Sequence, residues 1–182
     1  MRRSHPLPKI WLMTDARFGV DQLRAIQQLP ARSGVVFRHY ELATQQRRAL
    51  FAQVLRICRR RGHIVLLAGD ARTALRWHAD GFHQRNRGKA KLLHSAPVHN
   101  AREIADVKRC SPDLLFLSPL FSTNSHPGAR PLGPLMFQRL AKLAKPKRVI
   151  ALGGMSRQSA QMLGPRTIHG WAAIDAFRKK IA

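Results

Sequence analysis

The stretch "DLLFLSPLFSTNSHPGARPLG", residues 113–133, joins a short apolar run to a long polar loop. The run from Leu114 to Pro119 is almost continuously apolar, which is typical of a strand buried on both faces of a parallel sheet. Hydroxyl, histidine and arginine side chains follow it directly. A buried strand with chemically active residues at its carboxyl end predicts an α/β protein whose site lies where the strands end.

Further apolar runs of similar length occur along the chain and alternate with amphipathic stretches, as expected for a (β/α)8 TIM barrel forming a single domain over residues 1–182. An open doubly wound sheet is the alternative, but no glycine-rich nucleotide fingerprint follows the first run. The other predicted strands are Ile10–Thr14, Val35–Tyr40, Ile64–Ala68, Gly81–His83, Leu92–Pro97, Val149–Leu152 and Thr167–Ala172.

The connections between the predicted strands are short. Eight units in this chain leave about 23 residues each, whereas a typical barrel has roughly 250 residues in all. We therefore expect a compact barrel with shortened or missing helices around strands 3–5: residues 70–79 form at most a short helix, and residues 84–91 form a loop. Asn100 and Ser156 are predicted helix N-caps. The predicted helices are Val20–Gln28, Gln45–Arg61, Ala101–Arg109, Leu135–Ala144, Ser156–Leu163 and Asp175–Ile181.

The chain is strongly basic. It has 33 Lys and Arg residues against nine acids, a net charge of +24 at pH 7. Such a charge attracts polyanions, so the basic residues either form solvated helix faces or bind nucleic acid. No RNA-recognition signature, zinc-finger pattern, GXXG loop or aromatic stripe accompanies them. This favours solvated faces and makes nucleic acid the less favoured partner.

Two cysteines, Cys58 and Cys110, are too few for a disulfide framework and lack the spacing of metal ligands, which indicates a reducing compartment. The N-terminal residues contain no apolar segment long enough for a signal peptide or a membrane span. We therefore expect a cytoplasmic protein without a membrane partner. A homo-oligomer is left open, because no interface can be derived from the sequence.

A glycine pair, Gly153-Gly154, follows the seventh predicted strand. Glycines let a ligand approach the backbone, and the loops after strands seven and eight of such barrels commonly hold phosphate at a helix N-terminus. Gly170, placed after the eighth strand, would supply the second half of this phosphate cradle. The alternative is that the pair only forms a tight turn.

The remaining predicted strand ends also carry polar groups. Several histidines near one rim exceed what packing needs, so together they favour a polar pocket, although a single histidine is more often structural. Asp70 has a second interpretation as a helix N-cap. The candidate pocket residues are Arg38, Tyr40, Asp70, His83, His99, Ser118, Thr123 and His126.

These blocks resemble the thiamine phosphate synthase and thiazole tautomerase (TenI-type) superfamily over nearly the whole chain. The similar blocks are "WLMTD", "VVFRHY", "LLAGDARTALRWHADGFHQ", "HSAPVHNAREI" and the opening stretch with "VIALGGMS". Their order and spacing imply a (β/α)8 barrel that binds a thiazole phosphate or a related thiamine precursor.

The departures from the family pattern concern the pyrophosphate and Mg²⁺ ligands. Of the family's Gln-x-Arg-x-Lys on strand two, only Arg38 is present, because Val36 and Tyr40 occupy the other positions. The family's Asn-Asp pair appears as Gly69-Asp70, and its second magnesium-binding Asp falls in "HQRNRG", which has no acid. The lysine of the family's Thr-rich loop corresponds to His126. A lone Asp70 among arginines is a poor Mg²⁺ site.

The resemblance thus implies an enzyme, either a transferase or an isomerase. We favour tautomerase-like acid/base chemistry on a small phosphorylated thiazole or pyrimidine ligand. The alternatives are thiamine phosphate synthase proper and a non-catalytic relative that binds a phosphate ligand or a polyanion. No cofactor is expected, and Mg²⁺ only if synthase activity is retained. The assigned roles are catalytic for His126, His99 and Arg38, phosphate-binding for Ser118, Gly153, Gly154 and Gly170, and substrate-binding for Tyr40, Asp70, His83 and Thr123.

Overall fold

The computed structural model describes residues 6–85, 91–123, 128 and 130–178, and at its centre lies a closed barrel of eight parallel strands. Each strand pairs with its neighbour in sequence, and the last strand closes on the first with Trp171 opposite Ile10. The predicted barrel is confirmed, and the doubly wound alternative is wrong. The strands are β1 Ile10–Met13, β2 Gly34–Phe37, β3 Ile64–Ala68, β4 Gly81–His83, β5 Leu93–Val98, β6 Leu114–Leu117, β7 Arg148–Ala151 and β8 Gly170–Ala173.

The helices surround the barrel unevenly. α3 has only six residues, and the described residues between β4 and β5 contain no helix, as the short connections predict. Both predicted N-caps are confirmed: the Asn100 side chain accepts from Glu103 N, and Ser156 forms a capping box with Ser159. The α-helices are α1 Gln22–Gln28, α2 Thr44–Arg61, α3 Ala71–Arg76, α4 Ala101–Lys108, α5 Gly133–Ala144 and α6 Arg157–Leu163; 3₁₀ helices span Ala16–Asp21 and Asp175–Phe177.

Apolar side chains fill the barrel and the layer between strands and helices. Inside the barrel, the Trp11 and Phe116 rings meet edge to face with centroids 5.5 Å apart. Outside it, α2 buries an apolar stripe that includes Phe51, Val54 and Cys58 against the sheet. Among the described residues, no helix combines the length and the apolar character needed to cross a membrane.

One arginine of α2 is structural. Arg47 donates from Nε to the carbonyl of Arg38 at 2.7 Å and from Nη2 to the carbonyl of Ala68 at 2.6 Å. Its guanidinium also lies over the Tyr40 and Trp77 rings, 5.2 and 5.6 Å from their centroids. Burial lowers the pKa of this group. Arg47 therefore ties together the carboxyl ends of β2 and β3 and fixes the turn that presents Arg38.

The last strand begins three residues later than the sequence pattern indicates. The segment before it turns back on itself, with Thr167 N and Ile168 N donating to the carbonyl of Gly164. Only from Gly170 onward do residues pair with both neighbours, β7 and β1. The carboxyl end of β8 is therefore Ala173, followed by Ile174 and Asp175, and not the segment around Gly170.

Candidate functional site

A cavity of about 360 Å³ lies at the carboxyl ends of the strands, where barrel active sites are built. Loops after β6, β7 and β8 form most of its wall, and Arg38 and His99 enter from the ends of β2 and β5. Its surface is mostly apolar with a few polar groups, as is usual for small-molecule sites. The lining residues are Arg38, His99, Ser118, Pro119, Thr123, Leu152, Gly153, Gly154, Met155, Ser156, Ala173, Ile174, Asp175 and Ala176.

The loops after β6 and β7 form one wall because their backbones remain paired beyond the strands. Leu120 N donates to Leu152 O at 2.9 Å, and Phe121 N donates to Gly153 O at 3.1 Å. A Cβ on Gly153 would lie 2.7 Å from Pro119 Cα, and its φ of +97° favours glycine. The glycine pair thus allows the two loops to pack closely and also lines the cavity. Both interpretations from the sequence, a tight turn and a ligand contact, are compatible with this position.

Next to the glycine pair, the wall continues into the start of α6. Ser156 Oγ accepts from Ser159 N at 3.2 Å, and Ser159 Oγ accepts from Ser156 N at 2.9 Å, which holds the first turn in place. At the end of β6, the buried Ser118 donates its backbone N–H to Val98 O. Ser118 and Ser156 therefore line the same cavity as Gly153 and Gly154.

Arg38 belongs to a charged network between the ends of β1, β2 and β8. Its Nη2 is 3.8 Å from Asp15 Oδ2, and Asp15 Oδ1 accepts from Arg17 Nε at 2.6 Å. Arg17 in turn reaches Asp175 Oδ1 at 3.3 Å. Burial raises the pKa of Asp15, but the hydrogen bonds from Arg17 and the charges of Arg17 and Arg38 outweigh it and leave the pKa below its ordinary value. Asp15 is therefore an anion that orients both arginines.

His99, which lines the cavity, forms a hydrogen-bonded pair with Glu103. His99 Nδ1 lies 2.9 Å from Glu103 Oε2, and Arg85 binds the other carboxylate oxygen at 2.8 Å. Burial raises the pKa of Glu103, but the hydrogen bonds from His99 and Arg85 outweigh it and hold the pKa below its ordinary value. The His99 tautomer that carries its hydrogen on Nδ1 would donate this hydrogen bond to the ionised Glu103.

The structure places six of the predicted site residues on this one cavity. Arg38, His99, Ser118, Thr123, Gly153 and Gly154 line the cavity. His126, assigned a catalytic role from the sequence, lies outside the described residues, so its assignment stays a prediction.

His83 is not a cavity residue, because it points into the barrel interior. Its ring is buried, packs edge to face on Phe116 at 5.0 Å, and binds Ser95 Oγ through Nδ1 at 2.8 Å. Burial, and secondarily the charge of Arg38, lowers the pKa of His83 to about 3. His83 is therefore neutral near pH 7 and packed as a core residue, which contradicts its assignment to substrate binding.

Asp70 and Tyr40 are also engaged elsewhere. Asp70 caps α3, accepting from Thr73 N at 2.9 Å and from Thr73 Oγ1 at 2.8 Å, as its second interpretation predicted. Tyr40 is 64% exposed and stacks on Arg47. Neither residue lines the cavity. Their assignment to substrate binding is therefore corrected: Asp70 has a helix-capping role, and Tyr40 packs on the surface.

The assignment of Gly170 to the phosphate cradle is wrong. Gly170 is the first residue of β8, at the amino end of the barrel and thus opposite the cavity. Glycine is required at this position because the backbone of Lys9 lies against it: a Cβ on residue 170 would lie 2.2 Å from Lys9 O. The predicted register of β8 caused this error. The correct register shows that Ile174 and Asp175 provide the β8 side of the cavity, and the sequence reasoning missed both residues.

The described residues do not fit a magnesium site. No group of three His, Cys, Asp or Glu side chains converges as metal ligands in the part of the chain that the structure describes. Asp70 is engaged by Thr73, Asp15 is engaged by Arg17, and the segment 84–91 has no acid in its sequence. Mg²⁺ binds proteins through carboxylates, and here they are dispersed or engaged.

Fold and cavity together define a class of protein: a (β/α)8 barrel with a cavity at the carboxyl ends of its strands. Residues 14–177 match the family model described as thiamine monophosphate synthase. The chain therefore belongs to the thiamine phosphate synthase/TenI superfamily, a family of enzymes, as the sequence blocks imply.

Individual relatives agree with this membership. The chain is similar to the "Putative thiamine-phosphate synthase 2" of Aquifex aeolicus, with 22% identity over 94% of this chain and 98% of that protein. The "Thiamine-phosphate synthase" of Geobacillus kaustophilus is 28% identical over 71% of this chain and 63% of its own length. The thiamine phosphate pyrophosphorylase structure from Pyrococcus furiosus superposes with a TM-score of 0.79 at 17% identity, covering 94% of this chain and 88% of that one, which shows the shared fold.

Proposed function

We propose that the protein binds a thiazole phosphate, or a closely related thiamine precursor, in the cavity and moves a proton on it, as a tautomerase does. The observation that carries the proposal is the composition of the cavity. It combines apolar walls that suit an aromatic ring, hydroxyl and backbone groups that suit one phosphate, and a histidine paired with a carboxylate.

The phosphate would lie beside the glycine pair. Among the described residues, no acceptor binds the backbone N–H of Gly153 or Gly154. Those groups and the hydroxyls of Ser118 and Ser156 can donate to phosphate oxygens, and Thr123 lies on the same wall. The ring would then pack between Pro119, Leu152 and Ile174, with Arg38 opposite it.

Proton transfer is assigned to His99. Glu103 orients its ring and stabilises the imidazolium that forms when Nε2 takes a proton from the ligand. The same nitrogen returns the proton to another atom of the ring, so that no group is gained or lost. His126, the first candidate from the sequence, stays a second acid/base candidate on the adjacent loop.

The synthase reaction is the alternative, because similar proteins carry that name. That reaction releases pyrophosphate, and the charge that develops on this leaving group requires several cations or Mg²⁺. Arg38 is the single Lys or Arg side chain among the described residues that line the cavity, and the described carboxylates do not form a metal site. This donor set favours proton transfer on a monophosphate.

The proposal is tested by offering the purified protein two sets of substrates. One assay supplies the thiazole phosphate tautomer alone and follows its isomerisation by NMR. The other supplies hydroxymethylpyrimidine pyrophosphate, thiazole phosphate and Mg²⁺, and follows thiamine phosphate. We expect isomerisation that requires no metal and little synthesis. Synthesis at the rate of a true synthase would overturn the tautomerase assignment.

Variants then separate catalysis from binding alone. We expect His99→Gln to lower kcat by about 10²- to 10⁴-fold, the usual contribution of a general acid/base, with KM little changed. Glu103→Gln should lower kcat less and shift its pH profile. His169→Gln, at the opposite end of the barrel, is the matched histidine control and should keep full activity. If His99→Gln, Arg38→Ala and His126→Ala all keep wild-type activity, these catalytic assignments are wrong.

A further inference from the structure

The acidic side chains of this basic protein are mostly engaged inside its own fold. Eight of the nine bind a backbone N–H, a histidine or an arginine nearby. The arginines in these ion pairs are Arg17, Arg38, Arg85, Arg109 and Arg178. None of the arginines in these ion pairs belongs to α2, so the arginines of α2 have no carboxylate partner among the described residues.

The outer surface of α2 is an acid-free arginine face. Residues 42–69 contain no Asp or Glu. Five arginines of the helix are exposed, and between them lie exposed alanines and glutamines that add no opposing charge or large side chain. We call this surface the α2 arginine face; it consists of Arg48, Arg56, Arg59 and Arg60, whereas Arg61 donates to the carbonyl of Leu29 at 3.1 Å.

The spacing on the α2 arginine face suits a linear polyanion. Arg48, Arg56 and Arg59 lie at positions i, i+8 and i+11, so they share one stripe of the helix. A rise of 1.5 Å per residue spreads them over about 16 Å, which corresponds to roughly five phosphates along one strand of a duplex at about 3.4 Å each. Arg32 extends the face at its C-terminal end, since its Cγ lies 3.8 Å from a Cβ built on Gly62.

We propose that the α2 arginine face binds the phosphate backbone of a nucleic acid duplex without sequence specificity. The exposed side chains of α2 are Thr, Gln, Ala and Arg, with no aromatic platform on which unpaired bases could stack, which favours a duplex over a single strand. Guanidinium groups bind phosphate oxygens in a bidentate manner, and neutral small neighbours let the backbone approach. The sequence alone favours solvated helix faces, but Arg48, Arg56 and Arg59 share one stripe without carboxylate partners among the described residues, which favours a polyanion ligand.

The α2 arginine face is independent of the proposed enzyme site. α2 connects β2 and β3, on the far side of the closed barrel from β6 and β7, whose loops form most of the cavity. A duplex on α2 therefore leaves the mouth of the cavity open. The two proposals can fail independently, because one is tested with a thiazole phosphate and the other with a nucleic acid duplex.

The test is fluorescence anisotropy of labelled 20-base-pair duplexes of random sequence, DNA and RNA, titrated with the full chain at 50 to 200 mM salt. The test variant is Arg48→Gln/Arg56→Gln/Arg59→Gln/Arg60→Gln. The matched control removes the same charge on the far side of the barrel, in Arg139→Gln/Lys142→Gln/Lys145→Gln/Arg157→Gln. Circular dichroism verifies that both variants are folded.

We expect the α2 variant to lose at least about tenfold in affinity at low salt, and its log–log salt slope to fall by about 3 to 4, since each phosphate contact contributes about 0.9. The control should retain most of the binding, and the quadruple Arg→Lys variant of α2 should retain more than the Gln variant. Equal losses in the test and control variants would overturn the proposal, because net charge alone would explain them. Absence of duplex binding by the wild type at 50 mM salt, or tighter α2-dependent binding to anionic phospholipid vesicles, would overturn it as well.

Discussion

The two rims of the barrel at β6–β8 and at β3–β4 have similar sequence features, but only the rim at β6–β8 forms the cavity. Each has a positive-φ glycine after a strand, Gly153 in one and Gly69 in the other, and each has polar residues next to it. At β6–β8 the two loops remain hydrogen-bonded past the strands and enclose a cavity. At β3–β4, Asp70 caps the six-residue α3 and His83 turns into the barrel.

The difference shows that a polar residue at a strand end does not line the cavity when local contacts hold its side chain elsewhere. Asp70 is held by the backbone N–H and hydroxyl of Thr73, and His83 is held by Ser95 and packed on Phe116. On the other rim, Gly153 and Gly154 line the cavity, and no acceptor among the described residues binds their backbone N–H groups.

The largest effect is expected at the β7 glycine. Gly153→Ala would place a methyl group 2.7 Å from Pro119 Cα and 3.0 Å from Leu120 N, at a φ of +97°. We expect a loss of about 2 to 4 kcal/mol in the free energy of unfolding, from overpacking and backbone strain together, measured by urea denaturation. Binding of thiazole phosphate, followed by calorimetry, should be lost with it.

Gly69→Ala is the matched control on the other rim. Its φ is +141°, but nothing lies within 4 Å of the added Cβ. We expect a smaller loss of about 1 kcal/mol, from strain alone, and unchanged ligand binding. Equal losses in the two variants would show that contact between the β6 and β7 loops is not what requires Gly153.

The next effect concerns the pH dependence that His83 brings to stability. Its pKa is lowered to about 3 in the folded protein by burial, so the unfolded chain binds a proton here at a pH where the folded chain does not. The contribution of neutral His83 to the free energy of unfolding is fully present above the unfolded-state pKa of about 6.5. It is lost progressively as the pH falls toward 3. Between pH 7 and pH 5 the loss is on the order of 2 kcal/mol.

His83→Gln removes this titration. Urea unfolding at pH 7 and pH 5 should therefore show less acid sensitivity in His83→Gln than in the wild type, by that amount. His63 and His169, whose pKa values are also lowered, first by burial, titrate in both proteins and cancel in the comparison. An identical pH dependence in the two proteins would contradict the buried, neutral state of His83.

The smallest effect is expected at Asp70. Asp70→Ala should reduce the free energy of unfolding by about 1 kcal/mol, the usual contribution of a helix N-cap, and leave isomerisation activity unchanged. Asp70→Asn, which keeps a capping oxygen, should retain most of the stability. A loss of activity in Asp70→Asn with normal stability would instead return Asp70 to the substrate site.

Much of the fold could be predicted because buried parallel strands are nearly continuous apolar runs, and β3 and β4 were placed at their observed ends. The register of β8 could not be predicted, since the β-branched residues Thr167 and Ile168 lie before the true start of the strand, and the strand itself contains only small or aromatic residues. The cavity residues on β6 and β7 were found because a serine and two glycines directly follow apolar runs. Asp175 was missed because its position depends on the register of β8.

The sequence by itself determined the family, the barrel and the segments that supply the cavity, because these depend on local patterns and their order. Only the tertiary structure decided which polar residues line the cavity, since that depends on how each side chain packs in the folded barrel. Thr73 engages Asp70 and Phe116 buries His83, whereas His99 pairs with Glu103 at the cavity wall. The tertiary structure also decided which arginines have carboxylate partners, because this depends on where the nine acidic residues lie in space.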